Sequence, residues 1–365
     1  LIAAGVIFGV CVFLSGFAFG NLNNCGIFLM IGIYRVHKCE DKWINITQGT
    51  FGVFVALFGF LSGAILSVLG NYSWYIVYFI IAAISLGLVA VSYLLKTGET
   101  PQNIITFTTG GNVDHDKSQN KKAVNVTKNP KKARHITIGV ILAAFALWFY
   151  MMTENTGTFW LGSYIQNQPL FNNNSDGASA LSAYAIAMFW TGATVGRLVF
   201  RSLFPRAKDV PLMLLFCALV VTSYIFLSMS YVSNTNKAGF YSIVLIAALC
   251  VGLSLSLLYP SILNYGIKQS KTPSPLNQAV IADLGITGAA LANVIFYLVA
   301  DGFKGSIGNA AAYALPIFYA CGTITIAAIL IISAFLWRTR SSEGKAITLY
   351  KGSAGDNLSI EDKYG

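Results

Sequence analysis

The apolar residues of this chain fall in long uninterrupted runs, and no other property of the sequence restricts its folding so strongly. A helix that crosses a hydrocarbon layer of ~30 Å needs about 20 predominantly apolar residues. Nine runs meet that need, at residues 4–34, 44–69, 73–95, 136–165, 179–203, 210–231, 239–267, 278–301 and 311–337. Lipid offers no hydrogen bonds, so runs of this kind must satisfy their own backbone groups as helices. Charge is correspondingly scarce. Charged residues make up 10% of the 365 positions, hydrophobic residues 55%, and the mean hydropathy is +0.64. A soluble domain carries about 25% charged residues. The expected class is an all-α membrane protein, with the lipid bilayer as its first partner.

The net charge of +10 would suit a nucleic-acid binder if the bases shared one folded surface. They do not. Assigning alternate loops to one side places 22 of the 24 Lys and Arg there and leaves only Lys237 and Lys304 opposite. Positive residues mark the cytoplasmic side, so the basic side is read as cytoplasmic and nucleic acid is excluded as a partner. The polar stretch 97–134, with Gly110, Gly111 and six lysines from Lys117 to Lys132, reads as a basic linker. It divides the chain into a partial first bundle (1–96), the linker, a six-helix bundle (135–337) and a cytoplasmic tail (338–365). The plasma membrane is the expected location. Asn71 and Asn173 fit the Asn-x-Ser/Thr glycosylation pattern on the opposite side.

Several chemistries are absent from the sequence. No Walker loop, HExxH pattern or Ser/His/Asp set occurs, so neither an enzyme nor a cofactor is expected. The six cysteines show no metal-ligand spacing. The chain begins at Leu1 inside an apolar run, which reads as truncation.

Three helices before the linker and six after it resemble the major facilitator superfamily, whose twelve helices form two related bundles. On that resemblance the nine segments are helices 4 to 12, and helices 1 to 3 precede them. The stretch Gly192-Ala-Thr-Val-Gly196-Arg197-Leu-Val-Phe-Arg201 is similar to the superfamily's signature between helices 8 and 9. Gly192 and Gly196 share one helix face and permit close packing. Arg197 and Arg201 are expected at the cytoplasmic mouth, meeting helix-terminal carbonyls or a carboxylate. An ordinary small-residue packing face with topogenic arginines would look the same.

Two further patches resemble the fucose–proton symporters and the related sodium-dependent glucose transporter-like proteins. One is Tyr150-Met-Met-Thr-Glu154-Asn155-Thr-Gly157-Thr-Phe-Trp160; the other is Tyr259-Pro260-Ser261-Ile-Leu-Asn264-Tyr-Gly266-Ile-Lys268. Glu154 is the most informative residue, because a carboxylate inside an apolar helix must face protein or a water-filled cavity. Glu154, Asn155 and Trp160 supply a carboxylate, an amide and a flat ring, the groups that hold a sugar. A structural pairing of Glu154 with another helix is the competing account. Asp283, near the cytoplasmic start of helix 11, is expected to contact Lys268, Lys271 or a helix N-terminus.

Weaker candidates complete the expected site. Asn23 and Asn24 lie in helix 4, where the proton symporters carry a carboxylate. Asn23 stands in its place and cannot titrate, which counts against proton coupling there. Gln48 opens helix 5, while Asn264 and Asn293 lie in helices 10 and 11. The resemblance implies a transporter of a small polar, sugar-like solute by alternating access, coupled to H+ or Na+ or uncoupled. A non-transporting sensor or scaffold of the same fold and an exporter of amphiphilic compounds are the alternatives.

Overall fold

A computed structural model describes residues 40–70, 73–94, 136–171, 175–203, 208–232, 236–269 and 275–361. The segment 4–34 with Asn23 and Asn24, the linker 97–134, and Asn71 and Asn173 lie outside the described residues. The elements are α1 (Glu40–Leu69), α2 (Trp74–Leu94), α3 (Ile138–Asn155), a π-helical turn (Thr156–Trp160), α4 (Leu161–Gln166) and α5 (Ser175–Leu203). They continue with α6 (Asp209–Val232), α7 (Lys237–Leu255), α8 (Leu258–Lys268), α9 (Pro275–Ile307) and α10 (Asn309–Glu361). Among the described residues, seven stretches are long and apolar enough to cross a membrane: Gly49–Leu69, Ile138–Gln166, Ser175–Phe200, Asp209–Val232, Lys237–Lys268, Asn277–Ile307 and Asn309–Arg340. The described helices fall on the predicted segments. Helix α10 differs at its end: it runs on through the predicted tail to Glu361.

Capping side chains set two of the helix starts. Thr137 accepts from the Val140 amide at 3.3 Å and donates to the Gln269 carbonyl at 2.9 Å, so one hydroxyl starts α3 and ties it to the end of α8. Asn236 accepts from the Ala238 and Gly239 amides and starts α7. The bundle packs as a ring in which α5 lies on α7, α7 on α6, α6 on α10, and α10 with α9 on α3. Its interior is closed by Tyr150, Tyr164, Phe189, Tyr224 and Phe240. Phe54, Leu57, Ile225, Met229 and Leu298 point outward. An apolar exterior of this kind suits lipid rather than water.

Close approach decides two of the helix contacts. A Cβ on Gly252 of α7 would run into the Phe189 carbonyl of α5, and one on Gly192 of α5 into the Leu249 carbonyl of α7. Each helix thus lends a glycine to the other's backbone, an arrangement that lets helices in lipid gain dispersion and weak C–H···O contact. Helix α1 meets the other face of α5 in the same manner, with Gly52 against Thr194, Gly59 against Ala187 and Gly63 against the Tyr184 ring. This seam joins helices that flank the linker in sequence.

Candidate functional site

Among the described residues, two of the spanning stretches are interrupted, and Glu154, Asn155, Arg197 and Ser256 meet at or beside the interruptions. The first interruption is the π-helical turn Thr156–Trp160, directly after Glu154 and Asn155. Gly157 lies in it because a Cβ there would strike the Phe189 ring and the Tyr224 hydroxyl. The Tyr224 hydroxyl donates to the Thr153 carbonyl at 2.6 Å, so α6 holds the backbone where the helix widens. Inserted π turns of this kind occur mostly at functional sites.

The second interruption, at Ser256 and Leu257, separates α7 from α8. Pro260 accounts for it. Proline lacks the N–H that would bond the carbonyl four residues back, and that carbonyl belongs to Ser256. Arg197 takes the place of the missing donor: its Nε donates to the Ser256 oxygen at 3.2 Å. The Tyr150 hydroxyl donates to the neighbouring Leu255 carbonyl at 3.4 Å. Helices α5 and α3 are thereby both tied to the break in the α7–α8 stretch.

Arg197 also faces Glu154. Its Nη2 lies 4.0 Å from Oε1 of the carboxylate, with side-chain exposures of 4% and 11%. Its partners are those expected, a helix-terminal carbonyl and a carboxylate, but Arg197 is buried in the bundle rather than open at a mouth. The residue starts near the C-terminal end of α5, but its long side chain turns into the bundle, where a carboxylate and an orphaned carbonyl await it. A guanidinium with five fixed donors suits such a position better than water-seeking lysine. Arg197 therefore leaves the count of topogenic loop charges, and the asymmetry survives without it. The guanidinium carbon further lies 5.9 Å from the centroid of the Trp190 ring.

The sequence of the chain matches the Major Facilitator Superfamily over residues 1–300. The chain belongs to the Major Facilitator Superfamily. It is a multi-pass membrane transporter, not an enzyme, and its partners are a small-molecule substrate and the bilayer. It is also similar to the Protein TsgA homolog of Erwinia tasmaniensis, with 25% identity over 317 residues, covering 86% of this chain and 71% of that protein. No solved structure matches the chain.

Within this facilitator the remaining expected residues divide into three groups. Asn155 and Asn293 come together: Asn155 Nδ2 donates to Asn293 Oδ1 at 2.8 Å and links α3 to α9. Asn155 is buried and Asn293 exposed. Asn264 lies half-buried on α8, beyond the break. Trp160 has a different setting from the open sugar platform anticipated. Its ring stacks on Tyr313 at 5.5 Å, meets Phe296 edge-on at 5.9 Å and donates its Nε1 to the Tyr313 carbonyl at 3.0 Å. The ring is engaged in packing, and 6% of the residue is exposed. Gln48 falls on α1 and Arg201 on α5, with side chains outside the description. Gly192 and Gly196 face α7, where Gly196 abuts the Ser256 side chain.

Lys268 bonds Asp209 at 2.8 Å, joining the C-terminal end of α8 to the N-terminal end of α6. Asp283 is exposed on the third turn of α9, so it does not cap that helix. Sequence reasoning missed Thr153 and Thr323, whose hydroxyls meet at 2.8 Å between α3 and α10. Hydroxyls in apolar helices are too common to single out. It also missed Ser256, for which Pro260 was the available signal.

Proposed function

We propose that this facilitator moves a small polar solute, with monosaccharides as the leading class, by alternating access about a site centred on Glu154. The observation that carries the reading is the Glu154–Arg197 pair, buried where two spanning helices are interrupted. Burying two charges costs several kcal/mol each before their attraction repays any of it. A packing role alone would be served as well by apolar residues. Interrupted helices at membrane depth are the usual builders of transporter sites, because freed backbone groups can serve the cargo.

The class of solute follows from chemistry and from the resemblance to fucose and glucose transporters. A carboxylate accepts hydrogen bonds from hydroxyls, and the Asn155–Asn293 amides offer both donors and acceptors. Asn264, Gln48, Asn23 and Asn24 are the further residues assigned to the lining in this reading. Trp160 supports the site from behind. Asn23 cannot carry a coupling proton, so transport is uncoupled or coupled through another group to H+ or Na+. The linker 97–134 and the tail face the cytoplasm, the host is the plasma membrane, and Gly192, Gly196, Arg197 and Arg201 belong to the moving machinery.

The test is uptake by proteoliposomes holding the full-length protein, with a panel of radiolabelled monosaccharides across imposed pH and sodium gradients. Saturable uptake of at least one sugar is expected. Binding without flux under every gradient would favour a sensor. Efflux of an amphiphilic dye with no sugar flux would favour an exporter.

A further inference from the structure

Arg197 and Trp190 lie seven residues apart on α5 and look in two directions. Arg197 reaches Glu154 and the break at Ser256. Trp190 reaches α1: it meets the Phe51 ring edge-on at 5.5 Å, and its Cε3 lies 3.7 Å from where a Cβ on Gly52 would stand. Between them the guanidinium lies within cation–π range of the indole. The carboxylate is thus connected to the α1–α5 seam through two side chains.

We propose that Arg197 and Trp190 form a relay by which the state of Glu154 sets how tightly α1 holds α5. Arg197 and Trp190 are positioning residues in this account. The relay rests on the reading of Glu154 as the centre of the solute site, and adds the control of that site over the seam. The physical reason is competition for one cation. Glu154, the Ser256 carbonyl and the indole face all attract the same guanidinium. A solute that engages the carboxylate weakens its hold on Arg197, and the guanidinium settles further onto the ring and the carbonyl. Trp190 is then pressed against Phe51 and Gly52, where there is no Cβ to yield, and the seam tightens. Solute at Glu154 therefore favours the state with α1 and α5 closed together. Coupling between sites needs an element with two arrangements that both sites bias, and the glycine seam is that element.

Spin labels at Val68 on α1 and Val232 on α6 read the seam by pulsed dipolar distance measurement in the full-length protein, after replacement of the native cysteines. Both positions are exposed, at 80% and 82%, and neither belongs to the site. Glu154→Gln mimics an engaged carboxylate and should shift the ratio of short to long distances by at least about fivefold, the lower end of ordinary coupling. Trp190→Leu should abolish that shift, and Trp190→Phe, which keeps an aromatic face, should retain it. Glu154→Asp, which withdraws the charge from Arg197 without removing it, should give a smaller shift of the same sign, and serves if the Gln variant does not fold. An unchanged shift in the Trp190→Leu background, or no shift in either Glu154 variant, overturns the relay. The readout needs no solute, so it stands or falls apart from the uptake assay. A working relay with no sugar flux removes the transport reading alone, and sugar flux with no coupling removes the relay alone.

Discussion

Pro260 has no amide hydrogen, and the effect reaches residues far from it in sequence. The Ser256 carbonyl lacks its helical donor, Arg197 supplies one, and Glu154 gains a counter-charge in the same place. Removing one member of a buried pair leaves the other uncompensated, at a cost of about 3–5 kcal/mol. Arg197→Leu should accordingly lower the stability of the detergent-solubilised protein by about that amount. Glu154→Leu in the same chain should restore most of the loss. Denaturant titration of the single and double variants checks both. Pro260→Ala returns the missing N–H to Ser256 and closes the break in the α7–α8 stretch. The Ser256 carbonyl has two lone pairs and can accept from both the amide and Arg197, so thermal stability should hold or rise while uptake falls. At this scale the sequence was partly legible. Glu154 stands out because a carboxylate is rare in an apolar run. Arg197 was placed by its position near the helix end, which says nothing of where a long side chain leads.

At the scale of elements, the glycines separate into those that touch a neighbour and those that do not. Gly252 sits against the Phe189 backbone, whereas a Cβ on Gly322 of α10 would have nothing within 4 Å. Gly252→Ala should therefore destabilise by at least about 1–3 kcal/mol, the usual range for overpacking, since a backbone carbonyl cannot rotate away. Gly322→Ala should be neutral or stabilise by about 0.5–1 kcal/mol, the helical preference of alanine over glycine. Unfolding temperatures of the two variants in one detergent compare them directly. The spanning elements themselves were readable, because length and apolarity are properties of the run. The π turn at Thr156–Trp160 was not. It depends on Tyr224 and Phe189 arriving from other helices, and no local pattern announces that.

For the whole molecule, the loop charges predict a fixed sidedness. With alternate loops assigned to one side, that side takes every Lys and Arg save Lys237, Lys304 and the inward-turned Arg197. A fluorescent protein fused after Gly365 should fold and fluoresce in a bacterial host, as it does only in the cytoplasm, and a periplasmic reporter at the same place should be silent. The reverse pattern would invert the topology. Membership of the superfamily was legible from the two-bundle layout and from the Gly192–Arg201 stretch. The choice of solute was less so, since it depends on side chains that meet only in the folded bundle, as Asn155 and Asn293 do. The α1–α5 seam is where the two groups of helices would rock. Its glycines leave no bulk to resist sliding, so Gly59→Leu, placed against Ala187, should lock it and abolish flux while leaving solute binding measurable.

The central claim is that Glu154 binds the cargo, and uptake by Glu154→Gln proteoliposomes tests it most directly. A hydrogen bond to a charged group contributes about 1.5–3 kcal/mol, so saturable uptake should fall at least about tenfold with protein inserted at the wild-type level. Uptake at the wild-type rate and affinity would contradict the account.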